Sequence, residues 1–162
     1  MVVNWIRILE EISNEVYTSV KPLMGTEKSR ETVGIGASGD LTREIDIIAE
    51  EVIIDYLERN HISCILVSEE CGVRRIGKSP KTYVIVDSVD GTTNAMRGIN
   101  FASTSIAISR TNSLRAIEAA IVMRLDNGKA YTAERGRGAK YNGEEIRPSE
   151  TKNLREAVVA FD

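Results

Sequence analysis

The sequence predicts an α+β protein in which two N-terminal helices pack on an antiparallel β-sheet. Three observations carry that reading. Two early segments place apolar residues at three- and four-residue steps. Beyond residue 62 the pattern changes to short runs rich in Ile and Val, and after residue 103 such runs are separated by hairpin turn signals. Helices first and strands afterwards, without alternation, is the order of an α+β arrangement.

Between Asn4 and Leu23 the stripe is Trp5, Ile8, Leu9, Ile12, Val16 and Val20, and Pro22 and Gly25 end the helix. Glu27 to Asp40 mixes charges with Gly34, Gly36 and Gly39 and reads as a mobile loop. A second helix, Thr42 to Asn60, carries Ile45, Ile48, Ala49, Val52, Ile53, Tyr56 and Leu57, and the two helices are expected to pack together. Ile62 to Ser68 and Thr82 to Asp87 read as buried strands. Ser103 to Ser109, Ala116 to Leu125 and Lys129 to Glu134 form an antiparallel meander, turned at Thr111-Asn112-Ser113 and Asp126-Asn127-Gly128. Tyr141-Asn142-Gly143-Glu144 is a further turn, and Val158 to Phe161 begins another strand. With no repeat or linker, the 162 residues read as one domain.

Composition excludes several classes of function. Twenty-one basic residues stand against 24 acidic ones, a formal charge of -3, which leaves no basic footprint for nucleic acid. Two cysteines without CxxC spacing and a single histidine cannot build a disulfide framework or a Cys/His zinc site, and they point to a reducing cytoplasm. No apolar run approaches the ~20 residues of a membrane span, and Arg7, Glu10 and Glu11 interrupt any signal-peptide core.

Chemistry concentrates where strands end. Ser68-Glu69-Glu70 follows one strand and Asp87-Ser88-Val89-Asp90 the next, with Gly91-Thr92-Thr93-Asn94 immediately beyond. If the two strands are neighbours, Glu69, Asp87 and Asp90 meet at one sheet edge, where like charges repel unless a cation sits among them. Oxygen donors favour Mg²⁺ or Mn²⁺. The Gly-Thr-Thr can open a short helix, Thr93 to Arg97, whose N–H groups suit a phosphate.

At these residues the chain resembles the inositol monophosphatase family, within the magnesium-dependent, lithium-sensitive sugar phosphatases that include archaeal-type fructose-1,6-bisphosphatases. The resemblance rests on VDSVDGTTN from Val86 to Asn94, on the SEE of Ser68 to Glu70, on Asp40 and Asp46 flanking the start of helix two, and on GRGAKYNG from Gly136 to Gly143. It implies that Glu69, Asp87 and the Val89 carbonyl hold one Mg²⁺, and that Asp87 and Asp90 share a second. It implies further that Gly91 and Thr92 hold phosphate through backbone N–H groups, while Asp40 with Thr92 positions or deprotonates the attacking water. The implied reaction is hydrolysis of a phosphate monoester of a sugar or inositol by a metal-activated water. Ser88 stands where the family has proline and Ser68 where it has glycine, neither of which removes a ligand.

The resemblance covers only the N-terminal, metal- and phosphate-binding half of such a protein, residues 1–162. The C-terminal α/β domain, with its Trp-Asp-x-Ala-Ala-Gly motif, is absent from the chain. The alternative is thus an incomplete or split half that needs a separate C-terminal part for catalysis. A homodimer is expected. His61, Cys71, Trp5 and Tyr17 read as structural residues, and Arg74, Arg75 and Lys78 as a solvated loop. Arg97, one turn past the phosphate site, reads as a candidate support for it.

Overall fold

A computed structural model describes residues 3–37, 39 and 41–159. Helix α1 spans Trp5–Val20; the Asn4 side chain caps it by accepting from the Arg7 N–H at 3.2 Å, and a 3-10 turn, Lys21–Leu23, follows. Its fully buried stripe is Leu9, Ile12, Val16 and Val20. Helix α2 spans Glu44–Arg59 and buries Ile45, Ala49, Ile53, Tyr56 and Leu57. The two helices pack together, with the Tyr56 hydroxyl donating to Glu11 and Arg59 paired with Glu15. After α2, the Ile62 N–H donates to the Leu57 carbonyl and the His61 N–H to the Glu58 carbonyl, with His61 at a φ of 55°. That doubled bond closes the helix, so His61 takes the left-handed position usually held by glycine.

Ten strands follow or interleave: β1 Thr32–Ile35, β2 Leu41–Arg43, β3 Cys64–Ser68, β4 Gly72–Ile76, β5 Thr82–Asp90, β6 Ser103–Ser109, β7 Ile117–Arg124, β8 Ala130–Glu134, β9 Ala139–Tyr141 and β10 Glu144–Ile146. A short helix α3, Thr92–Arg97, links β5 to β6. Strands β1 and β2 form a two-stranded ribbon, and the rest one sheet in the order β10-β9-β8-β7-β6-β5-β3-β4. Both long helices lie on one face, α1 against β6, β7 and β8 and α2 against β5. The core between the layers holds Val84, Val86, Ile106, Ile108, Ile121 and Met123, alternate residues of their strands. On the opposite face Val122 and Tyr131 stand exposed.

The α+β class and the meander agree with the sequence reading, and five details differ. The sheet is mixed rather than antiparallel, because β3 and β5 pair in parallel. Strand β4 makes this possible: it returns the chain along the outer edge of β3, so β5 starts beside the beginning of β3. Arg74 and Arg75 lie in β4 rather than in a loop. The expected loop from Glu27 contains a 3-10 turn, Lys28–Arg30, and β1. Helix α3 begins at Thr92, one residue earlier than expected. Of the strand expected at Val158–Phe161, Val158 and Val159 are not in a strand, and residues 160–161 lie outside the described residues. No helix among the described residues is long and apolar enough to cross a membrane.

Candidate active site

Parallel pairing aligns the two acidic strand ends. The register runs from Cys64 opposite Thr82 to Ser68 opposite Val86, so the next residues, Glu69 just past the end of β3 and Asp87 in the continuing β5, come level with each other. Asp87 and Asp90 are three apart, a spacing that in a regular strand sends side chains to opposite faces. Here Asp87 faces Ser105 and Asp90 faces Ser103, so β5 holds one residue more than β6 between them. This bulge resets the alternation and brings both aspartates to one side. The residues inside it, Ser88 and Val89, turn into the core.

Asp87 is partly buried and its carboxyl is pushed up to about 6, first by loss of hydration and then by repulsion from Asp90, Glu69, Asp46 and Glu70. Asp46, in the first turn of α2, is 3% exposed. Burial raises its carboxyl to about 6, opposed by hydrogen bonds from the Arg43 N–H at 3.0 Å and the Thr92 hydroxyl at 3.0 Å, with Glu70 and Glu69 raising it further. The same Thr92 hydroxyl lies 2.9 Å from the Val89 carbonyl. Ser88 donates to the Asp46 carbonyl at 3.3 Å.

Gly36, Ala37 and Thr42 come close to the acids that follow β3. The Thr42 hydroxyl donates to Glu70, and the Ala37 N–H donates to the Glu70 carbonyl at 3.0 Å. A Cβ on Gly36 would come within 2.8 Å of a Glu70 carboxylate oxygen and 3.3 Å of the Glu69 carbonyl, so a larger residue there would push the Glu70 side chain aside. Gly91 is more tightly constrained: its φ is 83°, and a Cβ there would meet the Phe101 backbone carbonyl at 2.8 Å. Beneath the β3–β4 turn, the Ser68 hydroxyl donates to Glu50, a carboxylate 5% exposed, and accepts from the Cys71 N–H at 3.1 Å.

Glu69, Asp87 and Asp90 thus lie at one edge, and Thr92 joins Asp46 to Val89. Asp40 lies outside the described residues. Arg97 is exposed at the end of α3. Asp46, which the sequence reading named only as an aspartate flanking the start of helix two, is the acid that hydrogen-bonds Thr92. The available signal was an acid one turn before another acid, Glu50, both within the buried residues of a helix. Among the described residues no three carboxylates, thiols or imidazoles are gathered closely enough to hold a metal ion. The donor chemistry nevertheless fits a small hard cation, since all the side chains are oxygen donors and their mutual repulsion at Asp87 is what a cation relieves.

A layered α+β fold with carboxylates at the ends of paired strands, followed by Gly-Thr at a helix start, defines a class of site. The chain belongs to the inositol monophosphatase family, whose pattern matches residues 2–161. It is 40% identical, over 93% of its length, to a bifunctional NADP phosphatase/NAD kinase of Methanococcus maripaludis, of which it covers 30%. It is 32% identical, over 97% of its length, to a fructose-1,6-bisphosphatase/inositol-1-monophosphatase of Methanothermobacter thermautotrophicus, of which it covers 60%. Among solved structures, a crystal structure of an inositol monophosphatase-fructose 1,6 bisphosphatase superposes with a TM-score of 0.81 at 28% identity, over 92% of this chain and 56% of that one. The chain therefore spans well under two-thirds of the length of these relatives.

Proposed function

We propose that the chain carries the metal- and phosphate-binding half of a Mg²⁺-dependent phosphomonoesterase acting on a sugar or inositol phosphate. The observation that supports this most is the parallel β3–β5 register with its bulge, which puts Glu69, Asp87 and Asp90 at one edge beside the Thr92–Asp46 pair. In this reading Glu69, Asp87 and the Val89 carbonyl hold one Mg²⁺, Asp87 and Asp90 share a second, and Mn²⁺ is an acceptable substitute. The bound ions supply Lewis acidity, which eases loss of a proton from water and stabilises the leaving alkoxide. Gly91 and Thr92 hold the phosphoryl oxygens through backbone N–H groups at the start of α3, where intrahelical acceptors are lacking.

The Thr92 hydroxyl orients the attacking water. Asp46, hydrogen-bonded to that hydroxyl, takes the proton the water loses through it, a part the sequence reading gave to Asp40. Water adds to phosphorus as the P–O bond to the alcohol breaks; the departing alkoxide takes a proton from solvent and Asp46 returns its proton to solvent, which leaves inorganic phosphate and the free alcohol. The free thiols of Cys64 and Cys71 suit the reducing cytoplasm, and the family resemblance alone suggests lithium sensitivity and a homodimer.

The second reading is a half that binds metal and phosphate but needs a separate C-terminal part to turn over. It is favoured by the chain's covering only 30% and 60% of the relatives above. Phosphate release from inositol-1-phosphate, fructose-1,6-bisphosphate and NADP, with and without Mg²⁺ and with an Asp90→Asn control, separates the two. Activity requiring both Mg²⁺ and Asp90 supports the complete reading. Mg²⁺ and phosphate binding without release supports the half-site, and neither sinks both.

A further inference from the structure

Glu69, Glu70 and Cys71 form the turn between β3 and β4, closed by the pairing of Ser68 with Gly72. On one side of Glu69, the Ser68 hydroxyl is tied to the buried Glu50. On the other side Glu70 is held from Ala37, just past β1, and from Thr42 in β2, an attachment to which the hydrolytic reading gives no part. The Thr42 hydroxyl donates to the Glu70 carboxylate, and the Ala37 N–H donates to the Glu70 carbonyl at 3.0 Å.

This hold is sheltered. Thr42 is 4% exposed, so water does not compete for its hydroxyl, and a buried hydroxyl left without a partner would be costly. Gly36 lies against the pair: a Cβ there would come 2.8 Å from a Glu70 carboxylate oxygen and 3.0 Å from the Thr42 hydroxyl. The next residue of β2 reaches another acid, for the Arg43 N–H donates to one oxygen of Asp46 at 3.0 Å while the other oxygen accepts from Thr92 at 3.0 Å. Two successive residues of one short strand thus fix the acid after β3 and the acid at the start of α2 relative to each other. Glu69 stands between two anchored neighbours, so its carboxylate leaves a turn that has little freedom to shift.

We infer that Thr42 is a positioning residue for the metal site: through its hydrogen bond to Glu70 it fixes the turn that presents Glu69 to Mg²⁺, with Glu70 serving as an anchor rather than as a ligand. The inference rests on the metal-site reading above and adds to it a residue outside the acidic motif on which Glu69 depends. Groups that orient a metal's ligands typically account for about 10- to 100-fold in metal affinity.

Calorimetric titration of the folded 162-residue chain with Mg²⁺ tests it. Thr42→Val keeps the shape of the side chain and removes the donor, and it is expected to weaken Mg²⁺ binding by about tenfold or more. Thr42→Ser, which restores a hydroxyl, should bind nearly as tightly as the parent. Glu70→Gln keeps an oxygen that accepts from Thr42, so it should weaken binding less than Glu70→Ala does. A folded Thr42→Val that binds Mg²⁺ as tightly as the parent overturns the inference while leaving the metal site standing. So does a Thr42→Ser no better than Thr42→Val, the mark of a packing effect, and so does a Glu70→Gln as damaging as Glu70→Ala, since the charge of Glu70 and not its bond to Thr42 would then matter. Should Thr42→Val fail to fold, the two Glu70 variants decide. Failure of the parent chain to bind Mg²⁺ overturns the metal-site reading and this inference with it.

Discussion

The Thr92 hydroxyl lies 3.0 Å from a carboxylate oxygen of Asp46 and 2.9 Å from the Val89 carbonyl. One hydroxyl has one proton, so Thr92 donates to only one of these acceptors at a time and keeps its lone pairs for an incoming donor. The pair joins the first turn of α2 to the first residue of α3, and it is the most direct link between the helical layer and the acidic edge.

The first prediction concerns that link. Asp46→Asn preserves shape but removes the proton acceptor, so phosphate release in the catalytically competent form should fall by about 10²- to 10⁴-fold, the usual worth of a general base. Thr92→Val should fall comparably, and Thr92→Ser should retain most of the rate. Folding stability of Asp46→Asn should not drop with activity, because a neutral amide suits a buried position better than a carboxylate. Asp40→Asn, assayed alongside, returns the role to Asp40 if its loss is the larger.

The second concerns pH. The carboxyls of Asp46 and Asp87 both sit at about 6 in the fold against 3.8 unperturbed, so at these two sites the folded chain binds protons more readily than the unfolded one. The part of the metal-free protein's stability that these two groups contribute should therefore fall as pH rises from about 4 through 6 and level off above that. Asp87→Asn should stabilise the metal-free protein at neutral pH by ~1–2 kcal/mol, a value reduced from the full shift because Asp87 is only partly buried. Mg²⁺ should raise the melting temperature of the parent and not of the variant. Denaturant titrations of the parent and of Asp87→Asn across this range, with and without Mg²⁺, check both, and the same pH slope in the two metal-free proteins from pH 4 to 6 would refute the assignment.

The third concerns Gly91. Alanine there combines a left-handed backbone with a contact 2.8 Å from the Phe101 carbonyl, so Gly91→Ala should cost ~2–4 kcal/mol and weaken phosphate binding. Chemical denaturation measures the first and calorimetry the second. A loss below about 0.5 kcal/mol, the range of neutral surface changes, would show that the turn relaxes freely.

Much of the architecture was legible because burial writes period into sequence: both long helices, the β6–β8 meander and the DSVDGT segment follow from spacing. Strand β4 was not legible, since Val73, Arg74 and Arg75 are exposed and become strand through pairing with β3 rather than through any pattern of their own. The parallel β3–β5 register was hidden for the same reason, as it depends on β4 returning the chain. Asp87 and Asp90 could be read from their motif, but the bulge that turns them to one side appears only in the pairing with β6. Asp46 was visible as an acid at the start of α2; its bond to Thr92 spans 46 residues, a distance no local pattern encodes.

The last prediction concerns Ser68, which holds the turn carrying Glu69. Its hydroxyl donates to the buried Glu50 and accepts from the Cys71 N–H, so it ties the end of β3 both to α2 and to the start of β4. Ser68→Ala removes both bonds and withdraws a donor from a carboxylate 5% exposed, a loss of ~1–3 kcal/mol. Because the same turn positions Glu69, Mg²⁺ affinity should fall with stability. Ser68→Ala combined with Glu50→Leu should cost less than the sum of the single changes, since no buried carboxylate is then left short of a donor. Strict additivity in that double-mutant cycle, with Mg²⁺ affinity unmoved by Ser68→Ala, would show that the turn is set by the β3–β4 pairing alone.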